Sequence, residues 1–573
     1  MGALDYIILV LYFIGLIAVS VIVGRKIKSS EDMFIAGRNS SWWLSGISSY
    51  MTIFSASTFV VWGGVAYKSG LVAVVVAMLL GVASMIVGKW ISGRWRSLRI
   101  KSPGEYLTIR FGHSTLSFYT ISGIIARAVH TAVALYAVAV VMCALVDIDI
   151  RWAILILGLT ALAYTVVGGF LAVLMTDVIQ FGVLLAVVIF MIPLSFHEVG
   201  GMGVFIEKAS HIPGYFSGSS DTYTWLWLGL WMLLNIGMIG GDWPFVQRYI
   251  SVPTIKDAKK STYLIGALYL ITPIIWYLPT MLYRIVEPGP GMDVDPQEMT
   301  MLGEKAYVNM SKTVLMGGMV GMMLAAMLSA TLSCVSGTLN VFANVYTYEI
   351  WGYRKKNREA DEKKRILVGR IFTLIFGLVI IAIGMLIPSA GGGEKVVVTV
   401  LTMVLCPLYI PSIWGLFSKR LTGRGLITAM LVSWAIGFTA KFTVPASVLS
   451  QSMIETISGC VLPILILAIM EVLSRARGLH CDKYDTMAAY TDPDADKEPG
   501  KEMKKATKVY SFMALNCFCI TLAAIALLLM GLMAFGDAKT LAVSGIVWSF
   551  IGGIAVLIAT YLIYRIIDKK RSI

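Results

Sequence analysis

The chain turns apolar for about twenty residues at a time, over and over. A helix rises about 1.5 Å per residue, so about 20 apolar residues match the hydrocarbon core of a bilayer. Roughly fifteen such stretches can be counted on that measure, with approximate limits 5–24, 42–67, 71–92, 116–146, 151–170, 173–195, 223–247, 262–286, 313–348, 365–387, 395–418, 424–443, 452–474, 507–534 and 540–566. Backbone polar groups in lipid must be satisfied internally, so long apolar runs of this kind specify helices. Composition agrees: 58% of the 573 residues are hydrophobic and 14% charged, far from soluble usage. The expectation is an all-α, multi-pass protein of the cell membrane, with the lipid bilayer as its solvent.

A formal charge of +14 would point to nucleic acid in a soluble chain. Here the positives fall in short loops between apolar runs, so they report topology, and no nucleic-acid partner is expected. "GRKIKSS", "GRWRSLRIK", "RYISVPTIKDAKK", "YRKKNREADEKKR" and "SKRLTGR" share one side if helices alternate. Asp147, Asp149, Asp221 and "EPGPGMDVDPQEM" fall on the other. The positive-inside rule makes the basic side cytoplasmic, with the N-terminus outside and the C-terminus cytoplasmic. The first run lacks a basic leader and a cleavage site, so no cleaved signal is expected. The seven cysteines have no metal-type spacing, and no disulfide framework is expected.

Two stretches read as broken helices. "SSYMTIFSASTFVVWGG" sets five Ser/Thr hydroxyls between Ser48 and Ser57. "NIGMIGGDWPF" sets Gly237, Gly240, Gly241, Asp242 and Pro244 close together. Glycine and proline loosen the backbone ladder, and an acid in lipid is costly. Close packing through small residues would explain either stretch alone. Their positions, second and seventh of the apolar runs, favour two inverted halves of five helices. That reading predicts breaks near Phe54 and Gly240, where freed carbonyls can hold a cation.

A third stretch, "AMLSATLSCVSGTLN" (326–340), carries five hydroxyls, a thiol and an amide within an apolar helix. Ser329, Ser333, Ser336 and Asn340 fall on one helical face. Such a face serves either inter-helix hydrogen bonds or an ion. Thr331 falls on a different face.

The segments "LDYIILVLYF", "EDMFIAGRNSSWW", "YTVVGGFLAVLMTDVIQ", "FVQRYISV" and "GLFSKRLTGRG", in this order, resemble the sodium:solute symporter family over roughly Asp5 to Thr443. That family includes sodium-coupled transporters of sugars, proline, monocarboxylates and sialic acid. The resemblance implies a five-plus-five inverted-repeat core, residues 42–195 and 223–418, with broken first and sixth core helices. Residues 4–24 are then an extra N-terminal helix and 424–474 additional helices. A polar, partly disordered cytoplasmic linker follows (475–506), then two accessory helices within 507–566.

The resemblance also implies sites. Family members share a small-residue carbonyl, two hydroxyls three and four positions later, and an acid sixteen beyond the first hydroxyl. Counting back from Glu349 gives Ala330, Ser333 and Cys334 as sodium ligands, joined by the carbonyls of Met51 and Phe54. Cys334 departs from the pattern, because a thiol is a soft and poor ligand for sodium. A second sodium site would use Asp177 and Ser336, with Gly337 in place of a second hydroxyl. The alternative role for Asp177 is a helix N-cap. His130 falls where relatives hold their solute, and Asn235 matches a substrate-contacting asparagine. Arg127, one turn before His130, either joins them or snorkels to the surface. Ser55, Thr58 and Tyr269 complete the substrate set.

The function implied is sodium-coupled symport of a small sugar, carboxylated sugar or monocarboxylate, by a protein that works as a monomer. No motif of an enzyme appears. A proton-coupled symporter, motivated by Cys334 and His130, and a transporter-like sensor are the alternatives.

Overall fold

The computed structural model describes residues 2–25, 34–146, 148–287, 296–353, 362–390, 399–445, 449–492, 495–535 and 544–571. Asp147, and most of the loops 24–30, 287–299 and 353–365, lie outside these. The elements used below are α1 (Ala3–Gly24), α2 (Trp42–Ile53), α3 (Ala56–Ser69), α4 (His113–Leu145), α5 (Ile150–Val199), α6 (Trp225–Gly241), α7 (Trp243–Ile250), α8 (Ile255–Val286), α9 (Met319–Val345), α10 (Cys406–Trp414), α11 (Lys501–Phe535) and α12 (Ser544–Arg571). Among the described residues the strand-type pairing is a single bridge between Leu98 and Thr491.

Eleven helices are long and apolar enough to cross a membrane, or twelve with α2 and α3 as one bent span. Three shorter apolar helices, Ile150–Leu162, Trp225–Gly241 and Val400–Trp414, fall in the remaining expected segments. Length and composition support eleven or twelve crossings, fewer than the fifteen expected, and the three shorter helices would make up the difference. One cause is local: α6 stops at Gly241 because Asp242 leaves the helical conformation. Residues 151–170 and 173–195, expected as two spans, lie within the single 50-residue α5.

α9 is the hub. Of its apolar window 94% is buried, against 17% for α1 and for the end helix α12. This explains its unusual content of polar groups, since nearly every face meets protein rather than lipid. Ser329 donates to the Tyr12 hydroxyl on α1 at 2.5 Å, and Asn340 accepts from Gln247 Nε2 on α7 at 3.0 Å. At its start, the Asp5 carboxylate of α1 accepts from the N–H groups of Gly318 and Gly321, both at 2.8 Å. A helix N-terminus carries orphan donors and a partial positive charge, so a buried carboxylate there is compensated. Gly321 permits this approach, for a Cβ there would lie 2.3 Å from the Asp5 carbonyl oxygen.

Three basic loops join at one end of the bundle. Arg94 donates to Leu416 O at 3.1 Å, Arg96 to Val252 O at 2.6 Å, and Arg110 to Ser418 O at 2.8 Å. Burial, with Arg38 nearby, pushes Arg96 down to about 10, while Asp492 works against the shift. The segment after residue 475 docks on this end instead of hanging free. It holds the helix Asp482–Ala489, and Asp492 N–H donates to Ser97 O at 2.6 Å. Ile255 N–H donates to Ala495 O at 2.9 Å. The expected disorder is thus replaced, over the described residues, by backbone pairing that satisfies polar groups the composition alone leaves unassigned.

Candidate functional site

The break between α2 and α3 turns the chain by 61°. Phe54 (φ −72°, ψ 124°) and Ser55 (φ −150°, ψ 177°) are extended. Ending α2 at Ile53 frees the carbonyls of its last turn, Met51's among them, and leaves that of Phe54 beyond the helix. The restarting helix is capped twice. Ser55 Oγ accepts from Ser57 N–H at 3.3 Å, and Thr331 Oγ1 of α9 accepts from Ala56 N–H at 3.0 Å. Thr331, expected on an unrelated face, is therefore an α9 residue that touches the break. Ala330, Ser333 and Cys334 flank it and are all buried.

The second break is a single residue. Asp242 (φ −72°, ψ 130°) separates α6 from α7, and Pro244 sits in the first turn of the latter. Its carbonyls are already claimed: Trp95 Nε1 donates to Gly240 O at 2.7 Å and Tyr249 Oη to Ile239 O at 2.8 Å. Gly241 also packs on α10, where an added Cβ would lie 3.0 Å from Tyr409 O. Close packing and helix interruption, posed as rivals from sequence, coexist here.

Asp177 lies inside α5 and is fully buried, so it is not a helix N-cap. Its carboxylate accepts from the hydroxyls of Ser48 and Ser333. Arg248 ion-pairs with it at 3.4 Å and also donates to Ser48 Oγ at 2.8 Å. Ser336 donates to Ser333 O at 3.1 Å. Ser333, expected at the first sodium site, and Asp177 and Ser336, expected at a second, therefore form one connected cluster.

A separate cavity lies beside both breaks. Ser55, Thr58, Arg127, His130, Asn235 and Tyr269 all line it, although they come from α3, its preceding turn, α4, α6 and α8. None of the proposed sodium ligands does. Aromatic side chains complete the wall: Trp62 and Trp231 lie 5.4 Å apart by ring centroid, and Tyr269 tilts against Tyr50 at 4.5 Å. Arg127 does not snorkel to a surface. It is buried and ion-paired with Asp242 at the second break, and its Nη1 lies 3.3 Å from His130 Nδ1. Asn235 Nδ2 donates to Trp231 O at 2.7 Å, which leaves its Oδ1 buried without a partner. The Trp231 indole N–H and Arg127 Nε are likewise unpartnered. Buried polar groups are almost always hydrogen-bonded, so unmet donors and an acceptor around one cavity mark a place for a polar guest.

A largely apolar cavity with a few polar groups, set between interrupted helices in a multi-pass helical bundle, is the arrangement of a membrane transporter. A profile of the sodium:solute symporter family matches residues 33–433, and the chain belongs to that family. Among curated relatives, the sodium/sialic acid symporter NanT of Aliivibrio fischeri is 26% identical over 388 residues, 66% of this chain and 75% of that one. The sodium/glucose cotransporter of Vibrio parahaemolyticus is 25% identical over 475 residues, 77% of this chain and 85% of that one. A solved Na+-coupled sialic acid symporter, substrate-bound and outward-open, superposes with a TM-score of 0.66 at 20% identity, covering 81% of this chain and 98% of that one. The fold is shared with that protein.

Proposed function

We propose that the chain is a sodium-coupled symporter that imports a small, neutral, hydroxylated organic solute by alternating access. Relatives named as symporters or cotransporters of sialic acid and glucose, each with sodium, support the class. The observation that carries the solute reading is the charge state of the cavity. The Arg127 guanidinium is matched by Asp242, while Asn235 Oδ1 and Trp231 Nε1 await a donor and an acceptor. A hydroxyl supplies both, whereas a carboxylate would face no unmatched cation among the described cavity residues. Ser55, Thr58, Tyr269 and His130 are the remaining solute contacts in this reading.

Sodium binds at the first break, held by the carbonyls of Met51, Phe54 and Ala330 and by Ser333, with Cys334 at the fifth position. Ser333 must rotate from Asp177 to reach it. Arg248 supplies the positive charge that a second sodium at Asp177 and Ser336 would bring, so one sodium moves per solute. The core is two inverted halves, 42–195 and 223–418, within fifteen crossings, with the N-terminus outside, the C-terminus cytoplasmic, and one chain sufficient.

The test is uptake into proteoliposomes. An inward sodium gradient should drive accumulation of a neutral sugar or cyclitol and outcompete sialic acid. Uptake driven by a proton gradient without sodium would replace this reading with proton symport. Preferential uptake of the anion would overturn the solute class alone.

A further inference from the structure

A second cavity, ≈ 560 Å³, opens at the end of the bundle where the basic loops gather. Four apolar helices meet there: α2, α8 and α11 begin at it, and α12 ends beside it through Tyr564. Lys256, Lys260, Lys504 and Lys508 line it. Trp42, Phe512 and Tyr564 form its apolar side. Trp and Tyr concentrate at the level of lipid headgroups, and Trp42 and Tyr564 are 38% and 55% exposed.

Three acids line the cavity against five lysines, Lys497 being the fifth. Glu498 pairs with Lys504 at 2.5 Å, Asp257 accepts from Thr254 Oγ1 at 2.7 Å, and Asp496 is the third. Two hydroxyls are not committed. Ser41 Oγ and Thr507 Oγ1 both line the cavity, and both are buried without a hydrogen-bond partner. Ser41 as a whole is 6% exposed. Orphaned donors beside lysines call for an oxyanion that carries several acceptor atoms.

We propose that this cavity binds the phosphodiester headgroup of an anionic membrane lipid, with Ser41, Thr507 and the lysines on the phosphate and the glycerol end against Trp42 and Phe512. The position at the helix ends favours a lipid over a soluble phosphate, because the apolar wall continues along α11 from Phe512 to Leu515. The inference is independent of which solute is carried.

The experiment is native mass spectrometry of the full chain after delipidation. It is incubated with equal amounts of phosphatidylglycerol and phosphatidylcholine of matched acyl chains. Wild type should retain phosphatidylglycerol preferentially. Lys256→Gln/Lys260→Gln/Lys508→Gln should lose that preference by about tenfold or more, since each lysine contributes to attraction of anionic lipid. Ser41→Ala/Thr507→Val, which leaves charge unchanged, should weaken phosphatidylglycerol retention too, and serves if the triple variant misfolds. Equal retention by wild type and the variants would overturn the site. Displacement of bound phosphatidylglycerol by soluble glycerol phosphate would overturn the lipid source and leave a phosphate site.

Discussion

In the proposed reading Asp242 sets the charge that a solute meets. It sits at the second break, 115 positions from Arg127, and neutralises the guanidinium in the cavity wall. Asp242→Asn keeps the shape and removes the counter-charge. The variant should lose affinity for a neutral solute and gain uptake of a monoanion such as sialic acid, whose carboxylate replaces the missing partner. A lone buried cation costs about 3–5 kcal/mol, so the folded fraction must be measured alongside. Arg127→Gln/Asp242→Asn, which removes both charges, should restore stability without anion uptake. Unchanged selectivity in folded Asp242→Asn would show that the pair only braces helices. At the first break, Ser333→Ala should raise the sodium concentration for half-maximal uptake. Cys334→Ser should lower it, because a hard oxygen replaces a soft sulfur. Opposite signs would place the ion elsewhere.

The two breaks were legible because what interrupts a helix is local: serine clusters, glycine and proline act within a turn of where they stand. The Ser55–Thr58 cap and the Asp242 junction fall where those residues predict. The cavity residues became legible only through resemblance, since nothing in the neighbourhood of His130 or Asn235 announces a shared wall. What stayed hidden is pairing over distance. Asp5 meets Gly318 and Gly321 more than three hundred positions away, and Thr331 meets Ala56 across 275. In sequence Asp177 fits a helix cap as well as a buried centre, and its three partners from α2, α7 and α9 decide between them. The Asp5 contact makes a prediction at the scale of the element. Asp5→Ala removes acceptors from two N–H groups at the start of α9, and capping losses cost about 0.5–2 kcal/mol. Thermal unfolding in detergent should fall accordingly, with sodium affinity reduced as well, because α9 carries Ser333. Loss of stability with unchanged sodium dependence would mean that α9 is held in place by its other neighbours.

The whole molecule must convert an ion gradient into a solute gradient, and the charge count fixes how far. A tenfold sodium gradient supplies about 1.4 kcal/mol. A potential of about −100 mV adds about 2.3 kcal/mol for each net charge moved. One sodium with a neutral solute therefore supports accumulation of about 500-fold. One sodium with a monoanion moves no net charge and supports only about tenfold. Both outcomes hinge on Asp177. In the proposed cycle Arg248, paired with the carboxylate at 3.4 Å, stands in for a second ion, so that one charge moves per solute. Solute-evoked current and tracer uptake, measured on the same proteoliposomes, should give a charge-to-solute ratio of one and a sodium Hill coefficient near one. A ratio of two would mean that Arg248 leaves Asp177 during the cycle and that a second sodium takes its place. A ratio of zero would mean that the solute is an anion, and that the Arg127–Asp242 pair opens to receive it.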